Sequence, residues 1–402
     1  MGATCSYPIE GEGSVILVAA NTAITAQIIN GLRDRGIFDI DVDPRDLASL
    51  RGIQKKKPNA KQKATGKPGQ WQQSVPVKEM LVDRFEEGLS EERAQKIAKS
   101  FTNAKDRFQK IQQSLQGSGI DPKEALQEVS DGFARSMVED QDQTVGMLAT
   151  EIDNDIDERS VRMAALGMAV AIELGLDGPQ TLEVGTVGLL HDIGLHAMDP
   201  RFSSATNELN EADAWEYKKH PLLSVQCVRS MMDIPDSIEL AIQQVHEQAD
   251  GSGFPRGLKG NRIHLHARIL NVVDAYLKLT ASPPGHIALV PHDAMGLLLH
   301  RASHGLFDPK VIKAFLAIET LFPLGSMVEL STGDVAQVIR RPRNGFALPV
   351  LQGSDGDRIE LESADVQVMR PVCDPKRSQS RLSKDLMQTS EWHPSSGSLV
   401  LA

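Results

Sequence analysis

Five histidine and aspartate residues in the middle of the chain constrain its fold more than any other feature. They are His191, Asp192, His220, His246 and Asp274, and most of them follow or lie within apolar segments with helical spacing. The pattern predicts separate helices that bring these side chains to one point. Because imidazole and carboxylate groups hold divalent cations and activate water between them, the series indicates a metal site inside a helical domain.

Asp192 is the candidate catalytic residue. It stands beside His191 at the end of a helix, 182–190, that is apolar nearly all round and is therefore expected to be buried. Its two oxygens could bridge two metals, although a histidine satisfied in a core by its neighbouring carboxylate is the alternative for this pair alone. Asp274 lies in an apolar helix and needs a partner there, for which a cation is the economical choice. His220 is predicted to end a polar helix, where a lone histidine usually makes a surface contact.

A glycine-rich segment follows His246 and predicts a tight loop. The segment contains Asp250, Gly251, Gly253, Phe254 and Pro255. Glycine lets a backbone turn sharply and be approached closely, so this loop is a candidate contact for a large substrate or for a protein partner.

The bulk properties exclude several classes of protein. A length of 402 residues is enough for two or three domains, and a formal net charge of −11 argues against a general nucleic-acid binder. Three widely spaced cysteines without a CxxC pair fit a reducing cytoplasm. No segment approaches the roughly 18 consecutive apolar residues of a membrane span. We therefore expect a cytoplasmic protein with no membrane partner.

Four motifs together resemble the HD-GYP branch of the HD phosphohydrolases, over residues 145–320. They are HDIG at 191–194, the segment 246–255, GLKG at 257–260 and the run ARIL-x-x-x-D-x-Y at 267–276. The resemblance implies an HD-type helical bundle around a site of two or more metals, usually iron or manganese. The implied activity is the hydrolysis of cyclic di-GMP to pGpG or GMP, with a metal-held hydroxide attacking the phosphorus in line.

The resemblance also implies individual roles. Six residues are matched to metal binding. His191, Asp192 and Asp274 would bind a first metal, with Asp192 bridging, and His220 would bind a second. His246 matches the last histidine of the family's paired-histidine motif, and Asp155 matches an acid of the family one turn before the first metal-binding histidine. Gly251 to Pro255 match the GYP loop of the family, with Phe254 in place of tyrosine.

Four further positions depart from the family pattern. Arg159 stands where the family has a metal-binding histidine, and Val245 replaces the first histidine of a pair. Leu195 replaces a lysine that faces phosphate, and Leu277 replaces a polar residue. Arg159 could pair with Asp192 in place of a metal. We therefore expect a signalling protein with weakened or lost hydrolysis, which senses cyclic di-GMP or binds a partner through the loop.

Two other functions stay open from the sequence. One is an active cyclic di-GMP phosphodiesterase with an altered metal site, and the other is an HD hydrolase for another nucleotide or phosphate ester. His196 could serve as a replacement ligand, whereas His264 and His266 are expected at the surface.

The predicted fold class is mainly α, an HD-type helical bundle with a small N-terminal α/β module and a small C-terminal β-meander. A lysine-rich segment at 51–76 is either a solvated linker or a contact for an acidic partner or nucleic acid. The helices predicted within 77–144 either pack on the next domain or transmit a signal. In chain order we predict a strand–helix–strand module (1–50) in which Thr22 caps the helix, a basic flexible linker (51–76), a helical connecting region (77–144), the HD-GYP-type helical domain (145–322), a small β domain (323–374) and a disordered tail (375–402).

Overall fold

The computed structural model describes most of the chain from residue 71 onward. The described residues are 4–5, 9–10, 16–18, 22–24, 71, 73–88, 90–114, 121–148, 156–203, 210–281, 288–374, 379–382, 391–392 and 399–400. The chain divides into two compact units, Met1–Thr65 and Gly66–Ala402.

The described part of the first unit contains two short antiparallel strand pairs. Strand β1 (Thr4–Cys5) pairs with β4 (Thr22–Ala23), and β2 (Ile9–Glu10) pairs with β3 (Ile16–Val18). Thr22 therefore lies in a strand, and the prediction that it caps a helix is wrong. Residues 25–70, which include the rest of the predicted module and most of the predicted linker, lie outside the described residues.

The second unit is mainly helical, so the predicted fold class is confirmed. Among the described residues none of its helices is long and apolar enough to cross a membrane. Short 3-10 turns lie at Val77–Met80, Ile193–Ala197 and Gly260–Arg262. The α-helices are α1 (Glu91–Ser114), α2 (Pro122–Leu148), α3 (Ile156–Glu173), α4 (Gly178–Leu190), α5 (Pro200–Ser203), α6 (Glu211–Tyr217), α7 (His220–Met231), α8 (Asp236–Gln244), α9 (Leu265–Thr280), α10 (Pro291–Ser303) and α11 (Pro309–Glu319).

Close contact between α3, α4 and α9 forms the centre of the bundle. A Cβ added to Gly188 of α4 would lie 2.7 Å from the Cα of Ala164 in α3, and one added to Gly167 would lie 2.5 Å from Leu270 of α9. Only glycine allows the three helices to approach so closely. Helix α4 starts at a capping box, in which the Asp177 carboxylate accepts from the backbone N–H of Gln180. These contacts fix the end of α4, where His191 follows.

The connecting helices α1 and α2 belong to the same core as the bundle. Phe108 and Ile111 of α1 and Phe133 and Met137 of α2 are buried with the apolar residues of α3 and α4. The end of the predicted flexible linker is also ordered, because Trp71 Nε1 donates to Asp131 Oδ1 at 2.6 Å. The flexible-linker prediction is therefore wrong for this last part, where a large apolar side chain finds a partner in α2.

A five-stranded antiparallel sheet follows the bundle, in the order β10, β6, β7, β8, β9. Its strands are β6 (Met327–Leu330), β7 (Val335–Arg340), β8 (Val350–Gln352), β9 (Arg358–Glu360) and β10 (Val368–Val372). Four of them agree with the alternating pattern of the sequence. The fifth, β10, was missed because it contains Pro371, which fits an edge strand but breaks the sequence signal.

The prediction of a disordered tail is wrong for residues 379–382. Strand β11 (Gln379–Ser380) pairs in parallel with β5 (Ala288–Leu289), and β12 (Glu391–Trp392) pairs with β13 (Leu399–Val400). Arg381 Nε donates to the buried Asp293 carboxylate at 2.7 Å. One specific ion pair thus anchors a segment whose polar composition alone indicates disorder.

A buried ion pair joins the sheet to the bundle. Both guanidinium Nη atoms of Arg340 in β7 donate to the carboxylate of Asp140, at 2.6 and 3.0 Å, and both residues are almost fully buried. Asp140 has non-helical backbone angles and marks a kink in α2. Arg93 Nε also lies 3.3 Å from Asp140 Oδ2, so loss of Arg340 would leave the buried carboxylate with one cation instead of two.

Replacing Arg340 with alanine should therefore lower the free energy of unfolding by about 1.5–3 kcal/mol, the range for losing hydrogen bonds to a buried charged group. Arg370→Ala is the matched control, because its pair with Glu329 is exposed and should contribute about 1 kcal/mol or less. Urea unfolding of both variants checks this. Equal effects of the two substitutions would contradict it.

Glu319 at the end of α11 is a second buried charge with a stability consequence. Burial raises its pKa to about 7, although a hydrogen bond from Tyr276 and the charge of Arg341 oppose the rise. The ordinary value is 4.5, so the unfolded chain releases this proton at a lower pH than the folded chain does. The contribution of protonated Glu319 to the free energy of unfolding is therefore fully present below pH 4.5 and is lost as the pH rises to about 7.

Glu319→Gln should stabilise the protein at pH 8 and have little effect at acidic pH. Because one pKa unit corresponds to about 1.4 kcal/mol, we expect a gain of up to about 3 kcal/mol at pH 8 and less than about 1 kcal/mol at pH 5. The measurement is urea unfolding at both pH values, with the exposed Glu362→Gln as control. A gain that is the same at both pH values would be inconsistent with an ionising Glu319.

Candidate metal centre

Backbone carbonyl groups orient two histidines of the candidate site. His191 caps the end of α4, and its Nδ1 donates to the carbonyl of Gly188 at 2.8 Å. His220 begins α7 instead of ending a polar helix, and its Nδ1 donates to the carbonyl of Tyr217 at 2.7 Å. A carbonyl can only accept, so Nδ1 of each ring carries a proton, and in the neutral imidazole Nε2 then presents a lone pair.

Both of these Nε2 atoms point toward Asp192. His191 Nε2 lies 3.3 Å from Asp192 Oδ2, and His220 Nε2 lies 3.3 Å from Asp192 Oδ1. Both atoms are buried and make no hydrogen bond. An imidazole that donates from one nitrogen to a backbone carbonyl and leaves the other unpartnered has the arrangement of a metal ligand. The residues therefore fit a bound divalent cation.

His246 lies between the two carboxylates. Its Nε2 is 3.4 Å from Asp192 Oδ1, and its Nδ1 is 3.6 Å from Asp274 Oδ2. Burial lowers the pKa of His246 to about 4, despite the hydrogen bond to Asp192. The ring is neutral at pH 7, which is the form that binds metal. His191, Asp192 and His246 offer ligand atoms that all lie within 4.8 Å of one another.

Asp192 is fully buried and ionised. Burial alone would raise its pKa, but the imidazoles of His191, His220 and His246, which face its two oxygens, hold the pKa well below its ordinary value. The structure thus brings together five of the six residues that the sequence assigned to metal. The sixth, Asp155, lies outside the described residues.

Two protein cations also enter the site. Arg159 Nη2 lies 2.8 Å from Asp192 Oδ2, and Lys278 Nζ lies 2.6 Å from Asp274 Oδ2. Arg159 was recognised from the sequence as a potential partner of Asp192, whereas Lys278 was missed. The available signal was its position four residues after Asp274 on a helix, because this spacing places two side chains on one face.

Three side chains at positions where the sequence predicts a departure from the family pattern lie in apolar surroundings. Val245 and Leu277 belong to the main core, and Leu195 packs in a small cluster with Tyr217 and Phe254. None of the three offers a metal ligand or a charge. All three side chains are buried and contribute to apolar packing.

The turn after His191 is held by Ser224 of α7. Ser224 Oγ accepts from the N–H of Gly194 at 2.9 Å and donates to the carbonyl of His191 at 2.7 Å. A Cβ at Gly194 would lie only 2.4 Å from the Ser224 nitrogen. The close approach ties the α7 helix, which carries His220, to the turn that carries Asp192.

The loop after His246 is built around Glu247. The buried Glu247 carboxylate accepts from the N–H groups of Arg256 at 2.7 Å and Leu258 at 2.9 Å. Gly253 packs on the backbone of His246 to Gln248, and a Cβ there would lie 2.2 Å from the nitrogen of Gln248. Gly251 has a φ of +87°. The glycines are therefore required by the fold of the loop itself.

Phe254 forms a wall of the site and does not project from the loop. Its ring stacks on His246 at a centroid distance of 5.1 Å and meets His220 edge-on at 5.8 Å. The Asp250 carboxylate accepts from Ser252 and completes a turn. Pro255 follows Phe254 through a cis peptide bond. The exposed parts of the loop are its polar residues.

The other histidines lie away from Asp192. His196 Nε2 is 3.4 Å from Asp157 and shares Gln112 of α1 with it. His264 is half-buried at the start of α9, where its Nδ1 accepts from the N–H of His266. His266 is buried, so its predicted surface position is wrong, because the helix packs its first turn against α4 near Glu183.

Comparison with known proteins shows which family the helical domain matches and which proteins it is similar to. Residues 143–311 match the model of the HD domain family. A cyclic di-GMP phosphodiesterase of Pseudomonas aeruginosa is 28% identical over 190 residues, which is 47% of this chain and 45% of that protein. The cyclic di-GMP phosphodiesterase PdeB of Borreliella burgdorferi is 27% identical over 192 residues, 48% of this chain and 50% of that protein.

Two further matches complete the comparison. A 3'3'-cGAMP-specific phosphodiesterase of Vibrio cholerae is 30% identical over 154 residues, 38% of this chain and 36% of that protein. The chain thus spans half or less of the length of these three relatives. An HDG"Y"P protein from Bdellovibrio bacteriovorus aligns in structure with a TM-score of 0.43 and 16% identity, over 78% of this chain and 94% of that one.

The helical bundle and the His191–Asp192 turn thus define an HD domain. Within that class, the domain at 143–311 is of the HD-GYP type, and the relatives named above are phosphodiesterases of cyclic di-GMP or of 3'3'-cGAMP.

Gly253→Ala should disrupt the loop, because the added Cβ meets backbone atoms that no side-chain rotation can move. We expect a loss of about 1–3 kcal/mol or more in the free energy of unfolding, in the range of an overpacked core. Gly132→Ala in α2 is the control, since a Cβ there meets nothing within 4 Å. Thermal and urea unfolding check the pair, and similar stability of the two variants would refute the tight packing of Gly253.

Proposed function

We propose that this chain is an HD-GYP-type signalling protein that binds cyclic di-GMP and whose hydrolytic activity is weakened or lost. The observation that carries the proposal is the ion pair between Arg159 and Asp192, 2.8 Å long and largely buried. Asp192 is the residue to which His191, His220 and His246 all point. A guanidinium on one of its oxygens therefore changes the charge that all three histidines face.

The electrostatic effect of Arg159 on a bound metal is large. Two unit charges at about 4 Å interact by about 4 kcal/mol at the effective dielectric constant of a protein surface. A divalent cation bound to Asp192 carries two charges, so its repulsion by Arg159 would be about twice as large. Arg159 also donates to Asp192 Oδ2, so this oxygen would be less available to a metal.

The remaining residues still fit one divalent cation. His191, Asp192 and His246 would hold it, with the unpartnered Nε2 of His220 beside them. When bound, such a cation would activate water and neutralise phosphate charge. Phe254 would exclude bulk water from one side of the ligands, while Leu195 supplies no charge to a phosphate.

The exposed rim of the loop supports an anionic ligand. Arg256, Lys259 and Arg262 are exposed within or just after the loop. The Lys259 stem packs over Gly251, because an added Cβ on that glycine would lie 2.4 Å from Lys259 Cε. These side chains offer positive charge to phosphates although the chain as a whole is acidic. The relatives named for cyclic di-GMP support the choice of ligand.

An active phosphodiesterase with an altered site is the second candidate. The unpartnered Nε2 atoms of His191 and His220 favour it, because they keep the geometry of metal ligands. A hydrolase for another nucleotide or phosphate ester would use the same atoms. A protein partner at the loop would meet its exposed residues, such as Ser252 and Arg256, because Phe254 is buried.

The test is binding and turnover of cyclic di-GMP by the full chain with added Mn²⁺ or Fe²⁺. Calorimetry measures binding, and chromatography measures formation of pGpG and GMP. We expect binding together with turnover no higher than that of Asp192→Ala. Arg159→His should raise turnover at least tenfold, because it replaces the competing cation with a ligand.

Two outcomes would contradict the proposal. Wild-type turnover far above the Asp192→Ala control would support the active phosphodiesterase instead. If the protein is folded by circular dichroism but does not bind the nucleotide, the proposed role as a sensor of cyclic di-GMP is excluded. Arg135→His on the exposed face of α2 controls for a nonspecific effect of the substitution.

A further inference from the structure

The charges of the site balance without any bound ion. Two buried carboxylates, Asp192 and Asp274, lie next to two buried cations, Arg159 and Lys278. Arg159 Nη2 lies 2.8 Å from Asp192 Oδ2, and Lys278 Nζ lies 2.6 Å from Asp274 Oδ2. Each carboxylate is thus paired with one cation of the protein itself.

We propose that Lys278 acts with Arg159 as an internal counter-ion that limits the site to weak binding of one divalent cation at most. The inference deepens the proposed function, on which it rests for the role of the site. It assigns to Lys278 control of metal affinity, a role distinct from contact with substrate.

The position of Lys278 makes this role specific. Its ammonium group lies on Asp274 Oδ2, the same oxygen that faces His246 Nδ1 at 3.6 Å. The other oxygen of Asp274 is buried and makes no hydrogen bond. Lys278 therefore occupies the carboxylate oxygen of Asp274 that faces His246, and its charge lies where a cation held by these two residues would have to bind.

The charge balance explains why loss of one cation should matter. Without Lys278 the site would hold an unpaired buried carboxylate, which is a strongly unfavourable state. A divalent cation would relieve that charge, so its binding would be coupled to stability. In the wild-type protein the same cation would have to displace a charge that is already paired.

The first experiment measures Mn²⁺ binding to the full chain by calorimetry and by electron paramagnetic resonance, without nucleotide. Wild type should bind weakly and at most one equivalent. Lys278→Met, which keeps most of the side-chain stem, should bind at least tenfold more tightly. Lys278→Arg should behave as wild type, because it keeps the charge.

Thermal unfolding provides an independent measurement. Mn²⁺ should raise the melting temperature of Lys278→Met by several degrees and leave that of wild type nearly unchanged. The double variant Lys278→Met with Asp274→Asn removes both charges and should lose the gain in metal binding. Lys313→Met, on the exposed side of α11, is the matched control for loss of a lysine.

The proposal is overturned if wild type binds two equivalents of Mn²⁺ tightly, or if Lys278→Met binds no more tightly than wild type. Were Lys278→Met too unstable to purify, Arg159→Met would test the same charge balance from the other carboxylate. The metal titrations need no nucleotide. Their failure is therefore distinguishable from a failure of cyclic di-GMP binding, which would overturn the proposed function alone.

Discussion

The carboxylate of Asp192 is the point on which the rest of the site depends. It is fully buried, and four side chains from different elements converge on its two oxygens. One oxygen faces His220 and His246, and the other faces His191 and Arg159. Burying a charge is costly unless it is paired, so these contacts are a condition for the bundle to close around Asp192.

The helices deliver those side chains through close backbone contacts. Gly188 and Gly167 let α3, α4 and α9 pack at short distance, and Ser224 ties the turn of Asp192 to α7. Gly253 brings the following loop onto His246, so that Phe254 closes one side of the site. A small shift in any of these contacts would change the distances to Asp192, which is why the supporting residues matter as much as the ligands.

Much of the architecture could be predicted from the sequence, because it rests on local periodicity. The helical fold class, four of the five strands of the sheet and the convergence of His191 and Asp274 follow from apolar spacing. Contacts between segments far apart in the sequence were harder to predict. Neither the docking of Arg381 on Asp293 nor the burial of Phe254 leaves a local signal. The pair of Lys278 with Asp274 is local, and its spacing of four residues was the signal that could have predicted it.

The most direct test of the account is a crystal structure of the full chain grown with Mn²⁺, with the ion located by anomalous scattering. The account predicts anomalous density for no more than one ion, near His191 and His246, with Arg159 and Lys278 still paired to their carboxylates. Two fully occupied ions, with Arg159 displaced from Asp192, would contradict it.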